Sequence, residues 1–337
     1  MGHRKTHAPK HGSLAYLPRK RAKRPFARIR YWPKSKENTP RLLGFLGYKA
    51  GMTYVFTIED RKRSPNFGKE VMRAATVIET PPILVCGVRS YTHTPYGLQQ
   101  LTEAWMKDPA PELKRALVLP ENFNTEEMLQ KMSQNLEQTT TIRAIIATQP
   151  KLSNLSKKKP EITEIEIGGG TVAQQFEYAK SLLGKTVTPE EVFKTGQYVD
   201  VAAVTTGKGW QGPVKRWGVT ILQAKGRKTK RGIATLGPWN PHHLMYSIPR
   251  AGQMGYHQRI EFNKRILKMG KDGKEVTVKG GFIRYGVLRG PYILMEGSIA
   301  GTEKRTITLR YPARPPKEAS EAPPQITHVS LDSPQGK

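Results

Sequence analysis

Side-chain chemistry requires a nucleophile, a base with an orienting partner, or a set of metal ligands. His3, His7 and His11 recur every four residues, which would line one face of a helix and offer imidazoles to a metal. Pro9 and Gly12 break that helix, and no carboxylate lies nearby to orient a ligating ring, so no metal is expected. His242, His243 and His257 also lie where no acid can orient them. The single cysteine, Cys86, sits in the apolar run Ile83–Val88 and is expected to be a buried small hydrophobe. One cysteine can form neither an internal disulfide nor a Cys-based zinc site. The sequence holds no H-E-x-x-H, no G-x-S-x-G, no paired-carboxylate motif and no Walker loop. General acid–base catalysis wants titratable groups beside partners. Neither an enzyme nor a cofactor is expected.

What the chain does offer is positive charge. Residues 201–260 contain no Asp or Glu and ten Lys/Arg: Lys208, Lys215, Arg216, Lys225, Arg227, Lys228, Lys230, Arg231, Arg250 and Arg259. The same sixty residues hold nine Gly, four Pro and three of the chain's five Trp, which marks a shaped segment rather than a featureless tail. Like charges repel, so a stretch this one-sided calls for a polyanion around it. It opens with GKGWQGP (207–213), a Gly-rich turn whose backbone N–H groups can approach phosphates beside Lys208, with Trp210 in its middle. Arg216-Trp217 follow, then five cations in seven positions from Lys225 to Arg231, able to neutralise several phosphates. Trp239 stands in GPWNP (237–241). Its prolines exclude a central strand, and the ring either stacks on a base or folds back over a core.

Bulk numbers agree. The 337 residues carry a net charge of +29, and the sequence pI is near 10.2. Such an excess favours nucleic acid as partner over a membrane surface. No apolar run approaches the roughly 18 residues of a spanning helix, and the first residues lack the apolar core of a secretory signal. With a single cysteine, an intracellular setting is expected. Charge is partitioned: residues 1–36 hold twelve Lys/Arg and no acid, among them Arg4, Lys5, Lys10, Arg19, Lys20, Arg21, Lys23, Arg24, Arg28 and Arg30. Four prolines interrupt any long helix there, and the arm is expected not to fold alone. Residues 95–200 hold fourteen acids against twelve Lys/Arg and suit an ordinary solvated domain.

The elements that must position these segments read as β-rich. Strands are expected at Leu42–Thr57, Ala75–Ile78, Ile83–Val88, Tyr198–Thr205, Glu275–Val278, Phe282–Leu288, Tyr292–Ile299 and Thr306–Leu309. Turn material such as Pro81-Pro82, Gly280-Gly281 and Gly290-Pro291 separates them and indicates a barrel or sandwich. Helices are expected in the near-neutral insert: one capped by Asn124 with Glu127 in a capping box, one over Thr171–Leu183 closed near Gly184, and a short one from Thr188-Pro189-Glu190-Glu191.

With these segments in hand, the chain resembles the universal large-subunit ribosomal protein family "L-three", in its archaeal form. GYKAGMT (47–53), VIETPP (77–82), VDVAAVTTGKGWQGPVKRWG (199–218), GPWNP (237–241) and RAGQMGYHQR (250–259) carry the likeness, which runs from the first residues to about 314. The resemblance implies a β-rich α+β fold: a six-stranded translation-factor-like β-barrel with an α/β insertion and long basic extensions that penetrate ribosomal RNA. It divides the chain into a basic N-terminal extension (1–40), barrel parts at 41–94, 181–206 and 261–311, an α-containing insertion (95–180), a central finger (207–260) and a Pro-rich tail (312–337). By its setting, Trp239 corresponds to the finger tip near the peptidyl transferase centre. Family members bind early in assembly, contact the 3′ region of the large rRNA, and neighbour the universal L-fourteen protein. The cations named above, with Trp210, Trp217, Trp239, His242, His243, Gln253 and His257, are therefore the expected RNA-binding residues, and no homo-oligomer is expected. Gln253 matches the glutamine methylated in bacterial relatives. Lys230 stands where eukaryotic members carry a modifiable His, so that modification is not expected. Two other readings are an RNA-modifying enzyme built on a β-barrel binding module and a general nucleic-acid packaging protein.

Overall fold

The structure, a computed structural model, describes residues 11–35, 38–120, 123–316 and 322–333. The chain forms two compact units, Met1–Pro25 with Val204–Gln258, and Phe26–Ala203 with Arg259–Lys337.

The main strands in chain order are β1 (Gly44–Ile58), β2 (Glu70–Glu79), β3 (Ile83–Thr94), β4 (Gly97–Trp105), β5 (Thr141–Ala147), β6 (Ile162–Gly168), β7 (Tyr198–Val204), β8 (Gln258–Gly270), β9 (Tyr292–Glu296), β10 (Thr306–Arg310) and β11 (Ile326–Val329). Neighbour pairing runs β1–β2–β9–β8–β7–β10 and returns to β1, so this sheet closes on itself as a ring, with β11 added along β1. Closure depends on β1 serving two partners. Its first residues pair with β10 (Phe45 opposite Leu309), and from Tyr48 onward it pairs with β2. Between Lys49 and Gly51 the register slips. Such a bulge bends a strand and increases its twist, as turning the corner of a ring requires.

Pro81-Pro82 ends the run into β2, and β3 enters a different sheet. There the order is the short strand Arg41–Leu42, then β6, β5, β3 and β4, with Thr186–Val187 also on β3. Helices α1 (Thr125–Gln134) and α2 (Val172–Leu182) pack on this sheet, bringing Met132, Phe176 and Ala179 against Ile142, Ala144 and Ile146. Thr171 caps α2 as the spacing predicts, with Gln174 returning the bond. Thr188 and Glu191 do the same for the short helix α3 (Pro189–Val192). Asn124 stands at the N-cap of α1 but its side chain makes no backbone bond. Its amide instead donates to Glu127 at 3.2 Å.

Three expectations change. Glu275–Val278 is not a strand: Gly273–Val276 is a 3-10 turn, started by Asp272 accepting from the Lys274 N–H at 2.9 Å. Phe282–Leu288 is a tight turn closed by a Phe282–Gly286 bridge, with Arg284 at φ 63° and Gly286 at φ 97°, both outside strand geometry. Val276, Val278, Phe282, Tyr285 and Leu288 are nonetheless buried in a second core cluster. Their apolarity reflects burial from turns, which alternation cannot tell from burial in a strand. Third, the last part of the basic arm contributes to the core. Ala27, Ile29 and Trp32 are buried in the main core while Arg28, Arg30 and Tyr31 between them are exposed, so this part is an extended strap. The Ala27 and Tyr31 carbonyls accept from Thr308 and Arg310 of β10.

Several acids of this larger unit pair internally. Glu103 and Glu164 pair with Arg89, and Glu164 and Glu166 pair with Arg143, across the inserted sheet. Burial pushes the Glu166 carboxyl upward, with Arg143 opposing. Asp200, fully buried, accepts from Arg310 Nη2 at 2.8 Å, the Ala313 N–H at 3.0 Å and the Asn263 N–H at 3.1 Å.

Candidate nucleic-acid interface

The smaller unit is built from the acid-free segment and the described part of the arm. Its base is a short antiparallel ladder. Trp210 pairs with Gln253 and Gln211 with Gly252. The ladder continues through Lys208 N–H to Met254 O and Met254 N–H to Gly209 O, both 2.9 Å, and Thr205 N–H to His257 O, 2.9 Å. GKGWQGP, expected as a phosphate-binding turn, thus forms one side of a ribbon from which Lys208 and Trp210 face solvent. The two sides lie so close at Gly255 that a Cβ there would meet the Thr206 carbonyl at 2.1 Å, and its φ of +71° favours Gly in any case.

Helix α4 (Pro213–Trp217) follows, with Pro at its first position and Gly218 ending it in the left-handed conformation. It delivers Arg216 and Trp217 inward. Arg216 donates from Nε to Gln253 O at 3.0 Å, from Nη1 to Arg250 O at 3.0 Å and from Nη2 to Arg19 O at 3.3 Å. In return Arg19 Nη1 donates to the Arg216 carbonyl at 2.6 Å, and its guanidinium lies 3.8 Å from the centre of the Trp217 ring. The Trp217 indole N–H donates to Arg250 O at 2.9 Å. Trp217 is buried, so the arm and the ribbon share a small core centred on it. Burial among carbonyls pulls the Arg216 pKa below its ordinary value. His257 Nδ1 lies 2.9 Å from the Lys20 carbonyl, Ala22 N–H donates to Tyr256 O at 2.8 Å, and Arg21 stands over the Tyr256 ring.

Beyond α4 the chain turns through a 3-10 segment (Ala224–Thr229), tied by the Leu222 N–H to Lys230 O bond at 3.0 Å. Lys215, Lys225, Lys228, Lys230 and Arg231 face solvent. Trp239 is 82% exposed with His242 edge-on at 5.3 Å, and His243 is exposed beside it. The ring does not fold back over a core, which settles that alternative. Lys20, Arg21, Lys23, Arg24 and Arg250 are exposed, Arg19, Arg216 and Gln253 half-buried, and Trp217 and His257 buried. Arg28 and Arg30 are exposed and Arg259 half-buried in the larger unit. Arg4, Lys5 and Lys10 lie outside the described residues, as do His3 and His7, and Arg227 is placed only by its backbone.

Sequence reasoning missed Leu236, Leu244 and Tyr246, which are 52%, 47% and 78% exposed; Leu244 and Tyr246 line a cleft with Leu14, Leu17 and Trp217. Their signal was present: large apolar side chains in a segment of Gly, Pro and cations have no periodic face to bury. Among the described residues no cluster of His, Cys, Asp or Glu could hold a metal, and no helix is long and apolar enough to cross a membrane.

A ring-closed β core accompanied by a carboxylate-free basic unit with an exposed aromatic stretch defines a class: a β-rich protein that carries a strongly cationic, aromatic-bearing unit. Comparison with known proteins gives the particular family. The model of ribosomal protein L3 matches residues 1–336. A protein of Pyrobaculum calidifontis described as large ribosomal subunit protein uL3 is 49% identical over 335 residues, covering 98% of this chain and 99% of that one. Proteins of the same description from Methanopyrus kandleri and Methanococcus vannielii are 45% and 46% identical, over 99% and 98% of this chain and 93% and 99% of their own lengths. The chain belongs to the ribosomal protein L3 family.

Proposed function

We propose that this protein is a structural constituent of the large ribosomal subunit in the cytoplasm, and that it binds large-subunit rRNA through the arm and the acid-free unit. One observation carries the reading. In a family member, every described charged side chain of the smaller unit is cationic, and the same unit exposes Trp210, Trp239 and Tyr246. Lys and Arg there offset phosphate repulsion and release condensed counterions. Exposed rings offer faces on which unstacked bases can lie. Arg19, Arg216, Trp217 and His257 act one step back: they hold the arm on the ribbon, so that Lys20, Arg21, Lys23 and Lys208 are presented together.

The finer expectations belong to this reading. The closed ring supports a translation-factor-type barrel. Trp239, as the exposed tip of its loop, would bias RNA near the peptidyl transferase centre by packing, and its influence on peptide bonding is indirect because no carboxylate base accompanies it. Early assembly, contact with the 3′ region of the rRNA and a neighbouring L-fourteen protein follow from the family. The RNA-modifying alternative would have no carboxylate base in the acid-free unit.

The test is binding of the full chain to large-subunit rRNA across a salt series. The expected result is a straight, steep fall of log affinity against log salt concentration. Affinity independent of salt, or absence of the chain from large subunits isolated at low salt, refutes the reading.

A further inference from the structure

Outside the arm and the acid-free segment, a second set of cations converges on one cleft of the larger unit. Arg115, Lys151, Lys157, Lys158 and Arg289 line a space of about 650 Å³, with Glu112 the one acid among its lining residues. Lys151 pairs with Glu112 at 3.4 Å, and Lys157 pairs with Glu161. Arg115, Lys158 and Arg289 are exposed and have no carboxylate within ion-pair distance among the described residues.

The cleft is also built rather than incidental. The fully buried Glu79 carboxylate accepts the backbone N–H of Arg289 at 2.9 Å and of Gly290 at 3.2 Å, and takes the Tyr285 hydroxyl as well. A buried acid is thus used to fix the backbone from which Arg289 extends. On the opposite wall, Ser153 is buried and its hydroxyl donates to Pro150 O at 2.7 Å, which holds the turn carrying Lys151. Buried Glu161, bonded by Thr306, takes the Lys157 ammonium. No aromatic side chain lines the cleft. It therefore has charge and hydroxyl groups for phosphate oxygens and nothing on which to stack a base.

We propose that this cleft is a second RNA site, which takes backbone phosphates of the ribosomal RNA and uses no residue of the arm or the acid-free segment. It rests on the reading of the protein as an rRNA binder and adds to it a contact that positions the RNA without reading its sequence.

The test uses the full chain with three variants. One carries Lys151→Gln, Lys158→Gln and Arg289→Gln in the cleft. A second has the same charge loss on exposed residues elsewhere, Lys107→Gln, Lys131→Gln and Lys180→Gln. The third carries Lys225→Gln, Lys228→Gln and Lys230→Gln. All replace exposed side chains, and thermal melts confirm folding. The slope of log affinity for large-subunit rRNA against log salt should fall by about 2–3 for the cleft variant, at roughly 0.7–0.9 per phosphate contact. The Lys107/Lys131/Lys180 control should leave it unchanged. Hydroxyl-radical footprints should lose protection at a site other than that lost by the Lys225/Lys228/Lys230 variant. A cleft variant with the control's slope and the wild-type footprint overturns the proposal, including the case where an acidic protein segment binds there. Wild-type protein that fails to bind rRNA at all refutes the underlying function instead.

Discussion

Two tryptophans of the smaller unit should behave oppositely when truncated. Trp217 is 6% exposed, and a buried Trp removes roughly 200 Å² from water. At about 25 cal/mol per Å² that is worth about 5 kcal/mol, in line with the ~3–5 kcal/mol measured for burying a large aromatic. Loss of its N–H adds little, because the Arg250 carbonyl keeps Arg216 Nη1 as donor. Arg19 would lose its stacking face as well, worth about 1 kcal/mol. The smaller unit buries few other large apolar groups, so Trp217→Ala should open the ribbon and release residues 11–25 while the larger unit stays folded. Native-state hydrogen exchange reads this directly. Amides of Ala22, Lys208, Gly218 and Met254, all bonded within the unit, should lose protection by 100-fold or more, since about 1.4 kcal/mol is a factor of ten. Amides in β5 and β10 should not change. Trp239→Ala, at 82% exposure, should alter stability by less than about 0.5 kcal/mol. Its effect should appear only in purified ribosomes, as impaired A-site tRNA handling. Unchanged exchange at Ala22 and Met254 in Trp217→Ala would refute the claim that this ring holds arm and ribbon together.

Asp200→Asn should cost about 3–5 kcal/mol, because it leaves Arg310 buried without its counter-charge. A denaturant midpoint unchanged from wild type would contradict this. Two hydrogen bonds from Arg265 hold the Asp60 carboxyl below the ordinary aspartate value. A carboxyl depressed on folding stabilises above its unfolded pKa and loses that contribution as pH falls through the folded one. The melting temperature should therefore drop on acidification below about pH 4, and Asp60→Asn should flatten that limb; parallel curves would refute the pairing. Removal of residues 1–25 should block stable incorporation into large subunits with the larger unit intact. Normal occupancy after a salt wash would show the arm to be dispensable. A deletion extended to residue 36 would confound the experiment, since Ala27, Ile29 and Trp32 are core.

The sequence made the ring strands β1, β2, β7, β9 and β10 visible because they are apolar, β-branched and bounded by Gly or Pro. It hid β8: QRIEFNKRILKMG is rich in charge, and only Arg265, Ile266 and Leu267 are buried. The insert looked helical because α1 and α2 have caps and stripes, whereas TIRAIIA (β5) and ITEIEIG (β6) are short and use Arg143, Glu164 and Glu166 as partners across the sheet. In the candidate site, the charge and the exposed Trp239 were legible from composition and prolines. That Arg216 and Trp217 turn inward was not, because their partners are backbone carbonyls at positions 19, 250 and 253, which no side-chain pattern encodes. The cleft at Arg289 was invisible for the same reason: it joins three stretches of chain far apart in sequence.

Ring closure also sets an order of events during synthesis. The smaller unit is complete in the chain once residue 258 has been made, but the ring lacks its closing strand until Arg310. At 5–20 residues per second that interval lasts roughly 3–10 s. For those seconds the nascent chain holds every described cation of its acid-free segment while the edges of β1 and β7 still await β10. A polyanion met at that stage would find the ring of strands still open.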